Sequence, residues 1–273
     1  MKKLKDIKKE LEKIIPKKDI PIFFAHFKSI TQNHKIEEHN PAKLKEDSDP
    51  SEPKVSLPKN EYGDRPIISS VGKIPKHKTR EATLKVLDHQ TNNHNITPEE
   101  HESVMSYTGS SYHINRKLVD DHPDKIGRDV KGIDSAISKP EHKLKGAITS
   151  YAGISGTYGS ILSGVKAGER VKSPAYASSS ASHEVAYSFA HANPITKSSH
   201  MIVFHTPKGH GKALYVDKIS MNAGEHEVIH ARGQTFKKVG EHTVENHDRK
   251  FFSDKGTLEP STITYHHLEP TED

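Results

Sequence analysis

The 273 residues carry 41 Lys and Arg against 36 Asp and Glu, with 21 His, no cysteine, 32% hydrophobic residues and a mean hydropathy of -0.78. The missing cysteines exclude disulfides and thiolate metal sites, and the apolar content is lean for one core spanning this length, so part of the chain is expected outside it. Residues 1–18 hold eight lysines against three acids, a surplus equal to the chain's formal net charge of +5, so the pI near 9.0 belongs to that segment and makes no case for a nucleic-acid-binding core.

In the first segment, residues 1–31, Leu4, Ile7, Leu11 and Ile14 recur at three- and four-residue steps before Pro16, the pattern of a basic helix with a narrow apolar stripe. Docking on a protein partner is the expected use. Charges interrupt Leu4 to Ile15 at almost every step, so neither a cleavable secretion signal nor a membrane span is expected. Residues 32–80 are rich in proline and charge, with Pro41, Pro50, Pro53, Pro58, Pro66 and Pro75, and are expected to form an extended linker. The folded domain is expected over 81–273. It opens with a helix over Glu81 to Gln90 and a second at Thr97-Pro98-Glu99-Glu100, where the threonine caps and the proline suits the first turn. Short strands are expected at Ala147 to Tyr151, Ala175 to Ser179, His200 to His205, Ala213 to Asp217, Glu227 to His230 and near Thr262 to His266. A helical pattern over Ala181 to Ala190 lies between two of them, with Ser180 or Ser182 as its cap. Helices first and strands later give an α+β class, with helices packed on a mainly antiparallel sheet assembly.

The run Gly224 to Phe236 supports two incompatible sites sharing one glutamate. On a helix, His226-Glu227-Val228-Ile229-His230 is H-E-x-x-H, with two imidazoles on one face to hold the zinc of a hydrolase. On a strand that geometry is lost, and Glu225 and Glu227 share a face. Gly224 and Gly233 flank the run, Val228 and Ile229 are β-branched, and Phe236 and Val239 extend no helical stripe. These preferences favour a short strand ending in a glycine turn, and no metal site.

Three further segments bear on that glutamate: Tyr107-Thr108-Gly109 followed by Ile114-Asn115, the strand Ile148 to Gly153, and the aromatic-led run Tyr176-Ala177-Ser178-Ser179-Ser180. In this order they resemble the mono-ADP-ribosyltransferase family of the arginine-serine-glutamate class, which includes binary toxins, C3-like exoenzymes and phage-encoded transferases. The serine run is similar to the family's aromatic-x-S-T-S strand, with Ser179 in place of threonine, and Glu225-His226-Glu227 is similar to its E-x-E. The resemblance covers about residues 97 to 245. The family's first motif is an arginine in an aromatic-R-G strand, and the matching position holds Ala152, between Tyr151 and Gly153.

The resemblance implies a two-sheet fold and NAD as substrate. It makes Glu227 the catalytic carboxylate, Ser178 its support, and Glu225 the group that handles an acceptor arginine on a target protein. Ser178, Ser179, Ser180, Tyr107, Asn115 and Gly153 would line or support the NAD site. Arg116, Arg128 and Arg170 are the candidates to replace the phosphate-clamping arginine, since alanine offers none of its forked, charge-assisted hydrogen bonds. With that clamp lost, the same fold could serve as a structural or interaction module. The lysine-rich first segment suggests a phage protein, carried in the virion or acting in the host cytoplasm.

Overall fold

A computed structural model of the protein describes residues 67–92, 95–119, 127–154, 156–190, 198–252 and 258–271. The expectations for the basic helix and for the linker as far as residue 66 lie outside the described residues. The first described element is a strand within the expected linker span, β1 (Ile67–Gly72), which pairs antiparallel with β8 further on. Helix α1 (Arg80–Asn92) follows, then α2 (Pro98–Gly109), α3 (Ser111–Val119) and α4 (Arg128–Ser138). Thr97 caps α2 in a reciprocal capping box: its side chain accepts from the Glu100 N–H while the Glu100 carboxylate accepts from the Thr97 N–H at 2.8 Å.

The rest of the chain supplies β2 (Ile148–Ile154), α5 (Gly156–Gly164), β3 (Arg170–Lys172), β4 (Ala177–Ser180) and α6 (His183–Phe189). After these come β5 (Ser198–Thr206), β6 (Ala213–Tyr215), β7 (Glu227–His230), β8 (Thr235–Phe252) and β9 (Leu258–Pro270). Hydrogen bonds link the strands in the order β1-β8-β9-β5-β2-β4-β7-β6, with β3 on β8. Among the described strands, only β5 and β9 run parallel. The junction between β2 and β4 is a single pair, Tyr151 with Ser180, so the path divides there into a large lobe and a small one, β4-β7-β6. That narrow junction is where the candidate site lies.

Both faces of β2 are covered. Ala152 and Ile154 pack with Ile202, Phe204, Phe236 and Leu268 under α5, while Tyr151 packs on the other face with Met201, Val203, Tyr265 and the Ala186 and Ala190 side chains at α6. On the small lobe, Val104 and Tyr107 of α2, Ile114 of α3 and Ile133 of α4 bury Leu214 and Ile229. Gly153 permits the close seating of α6, because a Cβ there would lie 2.3 Å from the Ala186 carbonyl oxygen and 2.4 Å from the Ala190 nitrogen.

The longest strand, β8, is absent from the sequence reading. Its burial alternates strictly through Phe236, Lys238, Gly240, His242, Val244 and Asn246, but half of those inward positions are polar. The buried Lys238 ammonium donates to the carbonyls of Leu162 (2.7 Å) and Val165 (2.8 Å) at the end of α5, and to Glu241 at 2.6 Å. Satisfied this way, polar side chains take core positions that a hydrophobicity pattern reads as surface. No helix among the described residues is long and apolar enough to cross a membrane.

Candidate active site

Residues 227–230 are a strand, which corrects the zinc-hydrolase reading of His226-Glu227-x-x-His230. The two histidines serve different surroundings. His230 is fully buried, with Nε2 3.1 Å from the Ser179 hydroxyl and its ring 4.3 Å from that of Phe204. His226 lies at the rim, its Nε2 3.2 Å from an Arg80 guanidinium nitrogen and its Nδ1 3.1 Å from the Tyr215 hydroxyl. The strand ends as expected in a turn through Gly233, at φ +69°.

Glu225 precedes the strand, and His226 between the two glutamates has φ +51°, a left-handed conformation that a histidine rarely adopts. Simple alternation along a strand therefore does not orient the pair. The Asp217 carboxylate holds the turn, accepting from the N–H groups of Gly224 (2.9 Å) and His226 (2.8 Å). Asn222 and Met221 tie the same loop to the end of α2, donating to the Thr108 carbonyl (2.9 Å) and hydroxyl (3.0 Å). The result is one cleft that both Glu225 and Glu227 line, with Ser178, Ser179 and Ser180 of β4, Tyr151 of β2, and Val185, Ala186 and Phe189 of α6. Glu227 is 3% exposed. Glu225 is partly exposed, at the mouth.

Each serine of the run has a separate partner. Ser178 shares a 3.1 Å hydrogen bond with the Tyr107 hydroxyl, which in turn accepts from Asn115 at 3.3 Å. Asn115 also grips the Tyr176 backbone at both its carbonyl (3.1 Å) and its N–H (3.2 Å), which fixes the start of β4. Tyr107 and Asn115 are fully buried and stand behind the cleft wall as supports. Burial, with the nearby Glu227 charge adding to the effect, pushes the Tyr107 phenol well above its ordinary pKa and keeps it neutral. Ser179 donates to Ser150 at 2.9 Å. Ser180 donates to the Glu225 carbonyl at 2.6 Å, tying the serine strand to the glutamate turn. Ser182, one of the two serines expected to cap, caps α6.

A family model described as ADP-ribosyltransferase exoenzyme matches residues 84–258. The chain belongs to that family. Solved structures show the same fold at low identity: an ADP-ribosyltransferase toxin from Paenibacillus larvae is 19% identical with a TM-score of 0.52, covering 71% of this chain and 94% of its own. The C3 exoenzyme of Clostridium limosum is 18% identical, TM-score 0.51, covering 73% and 98%. A C3 protein from S. aureus, solved with NAD, is 16% identical, TM-score 0.51, covering 73% and 100%. No curated protein matches the chain.

Against this family background, the β2 residue in the cleft is Tyr151, whose neighbour Ala152 points to the opposite face and into the apolar core. Ala152 therefore does not mark a gap in the cleft wall. Of the arginines considered as substitutes, Arg116 lies against Tyr112 (2.9 Å), Arg128 pairs with Glu102 (2.5 Å), and Arg170 sits on β3 opposite Lys237. None of the three lines the cleft. Tyr151, Asp217 and Thr108 were missed as positioning residues, although Tyr151 and Thr108 stood inside quoted motifs, as the aromatic of the strand and the middle of Tyr107-Thr108-Gly109; Asp217 carried no such signal.

Proposed function

We propose that this chain is a mono-ADP-ribosyltransferase that breaks NAD and transfers ADP-ribose to arginine on a target protein. One observation carries the reading: a buried carboxylate, Glu227, and a partly exposed one, Glu225, line one cleft beside Ser178. NAD as substrate follows from family membership, and the S. aureus structure contains it. As the bond between nicotinamide nitrogen and ribose C1′ breaks, the electron pair leaves with nicotinamide and positive charge develops on the ribose. Glu227 accepts a hydrogen bond from the ribose 2′-hydroxyl and stabilises that charge in a site with little water, where a carboxylate acts most strongly. Ser178, braced by Tyr107 and Asn115, keeps the glutamate and the ribose in place.

An acceptor guanidinium then attacks C1′. A guanidinium holds its proton too tightly to attack unaided, so the reaction needs a nearby base, and Glu225 at the mouth fills that role. The basic segment 1–31 docks the enzyme on a protein partner, and the linker joins it to the folded domain, whose sheet takes in β1 ahead of the expected boundary at residue 81. Delivery in a phage virion is the setting we assign, and mass spectrometry of purified virions tests it. The second reading, a transferase-fold interaction module without catalysis, is favoured by a cleft whose lining, among the described residues, holds two carboxylates and no Lys or Arg to meet a pyrophosphate. Incubation with labelled NAD and arginine-rich proteins, with Glu227→Gln alongside, separates the two. Label on protein arginine from the wild type only supports the transferase; no transfer and no NAD hydrolysis leaves the module.

A further inference from the structure

Five of the chain's histidines gather behind Tyr151, away from the carboxylates. His77, from the irregular stretch between β1 and α1, meets His205 of β5 and His267 of β9, and one ring nitrogen from each lies within 4.8 Å of the other two. The three ring centroids form a near-equilateral triangle with sides of 5.1, 5.4 and 5.2 Å. All three side chains are buried, at 6%, 8% and 0% exposure. His242 and His183 flank this triangle, the first 2.9 Å from His267 Nε2 and the second edge-on to the Tyr151 ring at 5.3 Å.

The geometry points to a divalent transition-metal site of the zinc class, with His77, His205 and His267 as ligands and an open fourth position. Zinc takes imidazole nitrogens at about 2.0–2.1 Å in a tetrahedron, which separates any two donors by about 3.4 Å. His205 Nε2 and His267 Nδ1 stand 2.9 Å apart, so an ion needs to widen that pair by only about 0.5 Å. Two of the three rings already have their other nitrogen engaged: His77 Nδ1 meets the Tyr151 hydroxyl at 3.2 Å, and His267 Nε2 meets His242 Nδ1. Such outer partners fix the ring orientation that presents the remaining nitrogen to a metal.

The ion would join the stretch before α1 to two central strands and, through the His77–Tyr151 contact, stiffen a wall of the cleft. It is independent of the carboxylate chemistry, so either assignment can fail without the other. Without metal, the same residues are a hydrogen-bonded buried cluster that needs no ligand.

The test uses the full chain, stripped with chelator and titrated with Zn²⁺, followed by calorimetry and thermal unfolding. One equivalent should bind, with Tm raised by about 5 °C or more at a hundredfold excess over Kd. His77→Ala should abolish the stoichiometric binding, and Tyr151→Phe should weaken it about tenfold or more. His226→Ala should leave it unchanged. Cobalt substitution of the wild type needs no variant, and intense tetrahedral d–d bands are expected. The assignment is overturned by no bound Zn²⁺, by an octahedral cobalt spectrum, by undiminished binding in His77→Ala, or by loss in His226→Ala.

Discussion

Replacing Ala152 by arginine separates a reading by motif from a reading by face. If Ala152 stood where a phosphate clamp belongs, arginine would tighten NAD binding. The structure directs the side chain elsewhere: residue 152 has no exposed surface and lies among Ile154, Leu162, Val165, Val171, Ile202, Phe204 and Phe236. Overpacking such a site costs about 1–3 kcal/mol. The guanidinium adds an uncompensated buried charge, typically another 3–5 kcal/mol. Relief is scarce, because the acid near this face, Glu241, already binds Lys238. The combined loss, about 4–8 kcal/mol, is comparable with the whole stability of an ordinary domain, about 5–15 kcal/mol. Urea unfolding followed by far-ultraviolet circular dichroism should show a large fall in midpoint or an unfolded chain, and calorimetry should show no gain in NAD affinity. A variant with the wild-type midpoint and a lower Kd for NAD would refute the assignment of faces on β2.

Other expectations follow from the same geometry. Glu225→Gln should reduce transfer to arginine at least about tenfold while sparing NAD hydrolysis, if general-base assistance is worth its usual 10²–10⁴-fold; equal loss of both reactions would remove its acceptor role. Gly153→Ala should push α6 off β2, because its Cβ would meet backbone atoms that cannot yield, at a cost of about 1–3 kcal/mol and with weaker NAD binding; an unchanged unfolding midpoint would contradict that contact. Tyr107→Phe removes the hydroxyl between Ser178 and Asn115 and should cost about 1–3 kcal/mol of stability, read by thermal unfolding, through the partners it strands. Hydrogen bonding from His266, then from Lys238, holds the Glu241 carboxyl down to about 2 from an ordinary 4.5. A depressed carboxylate stabilises the fold above its unfolded pKa and loses that contribution as pH falls through the folded one. Glu241→Gln should thus destabilise by about 2 kcal/mol at pH 7 and progressively less between pH 4.5 and 2, and a deficit independent of pH would exclude the linkage.

Much of the scaffold was legible locally. The capping box at Thr97, the helix over Arg80–Asn92 and the glycine turn after His230 depend on contacts within a few residues, which sequence records directly, while the strand at Glu227–His230, paired with the distant β4, was marked by its β-branched Val228 and Ile229. β3 and β1 escaped detection, the first for its shortness and the second because all six residues are exposed at an edge. β8 escaped for a different reason: Lys238, His242 and Asn246 occupy inward positions, and their partners come from α5, β9 and the Tyr187 hydroxyl. The serine run and the E-x-E pair were found by their order along the chain. Their division of labour was not, because Tyr107 and Asn115 act through Ser178 and Tyr176 from helices some 60 to 70 residues away.

The sequence by itself determined which residues form strand, cap and turn around Glu227, and with them the family resemblance, because β-branched preference, side-chain capping and glycine turns are set by local sterics. Tertiary structure alone decided which way they face. His226 is held in a left-handed conformation by Asp217 and so brings Glu225 to the mouth of the cleft; β2 turns Tyr151 toward that cleft and Ala152 toward the core. The meeting of His77, His205 and His267 belongs to the same kind of information, since residues so distant in the chain become neighbours only when the sheet has formed.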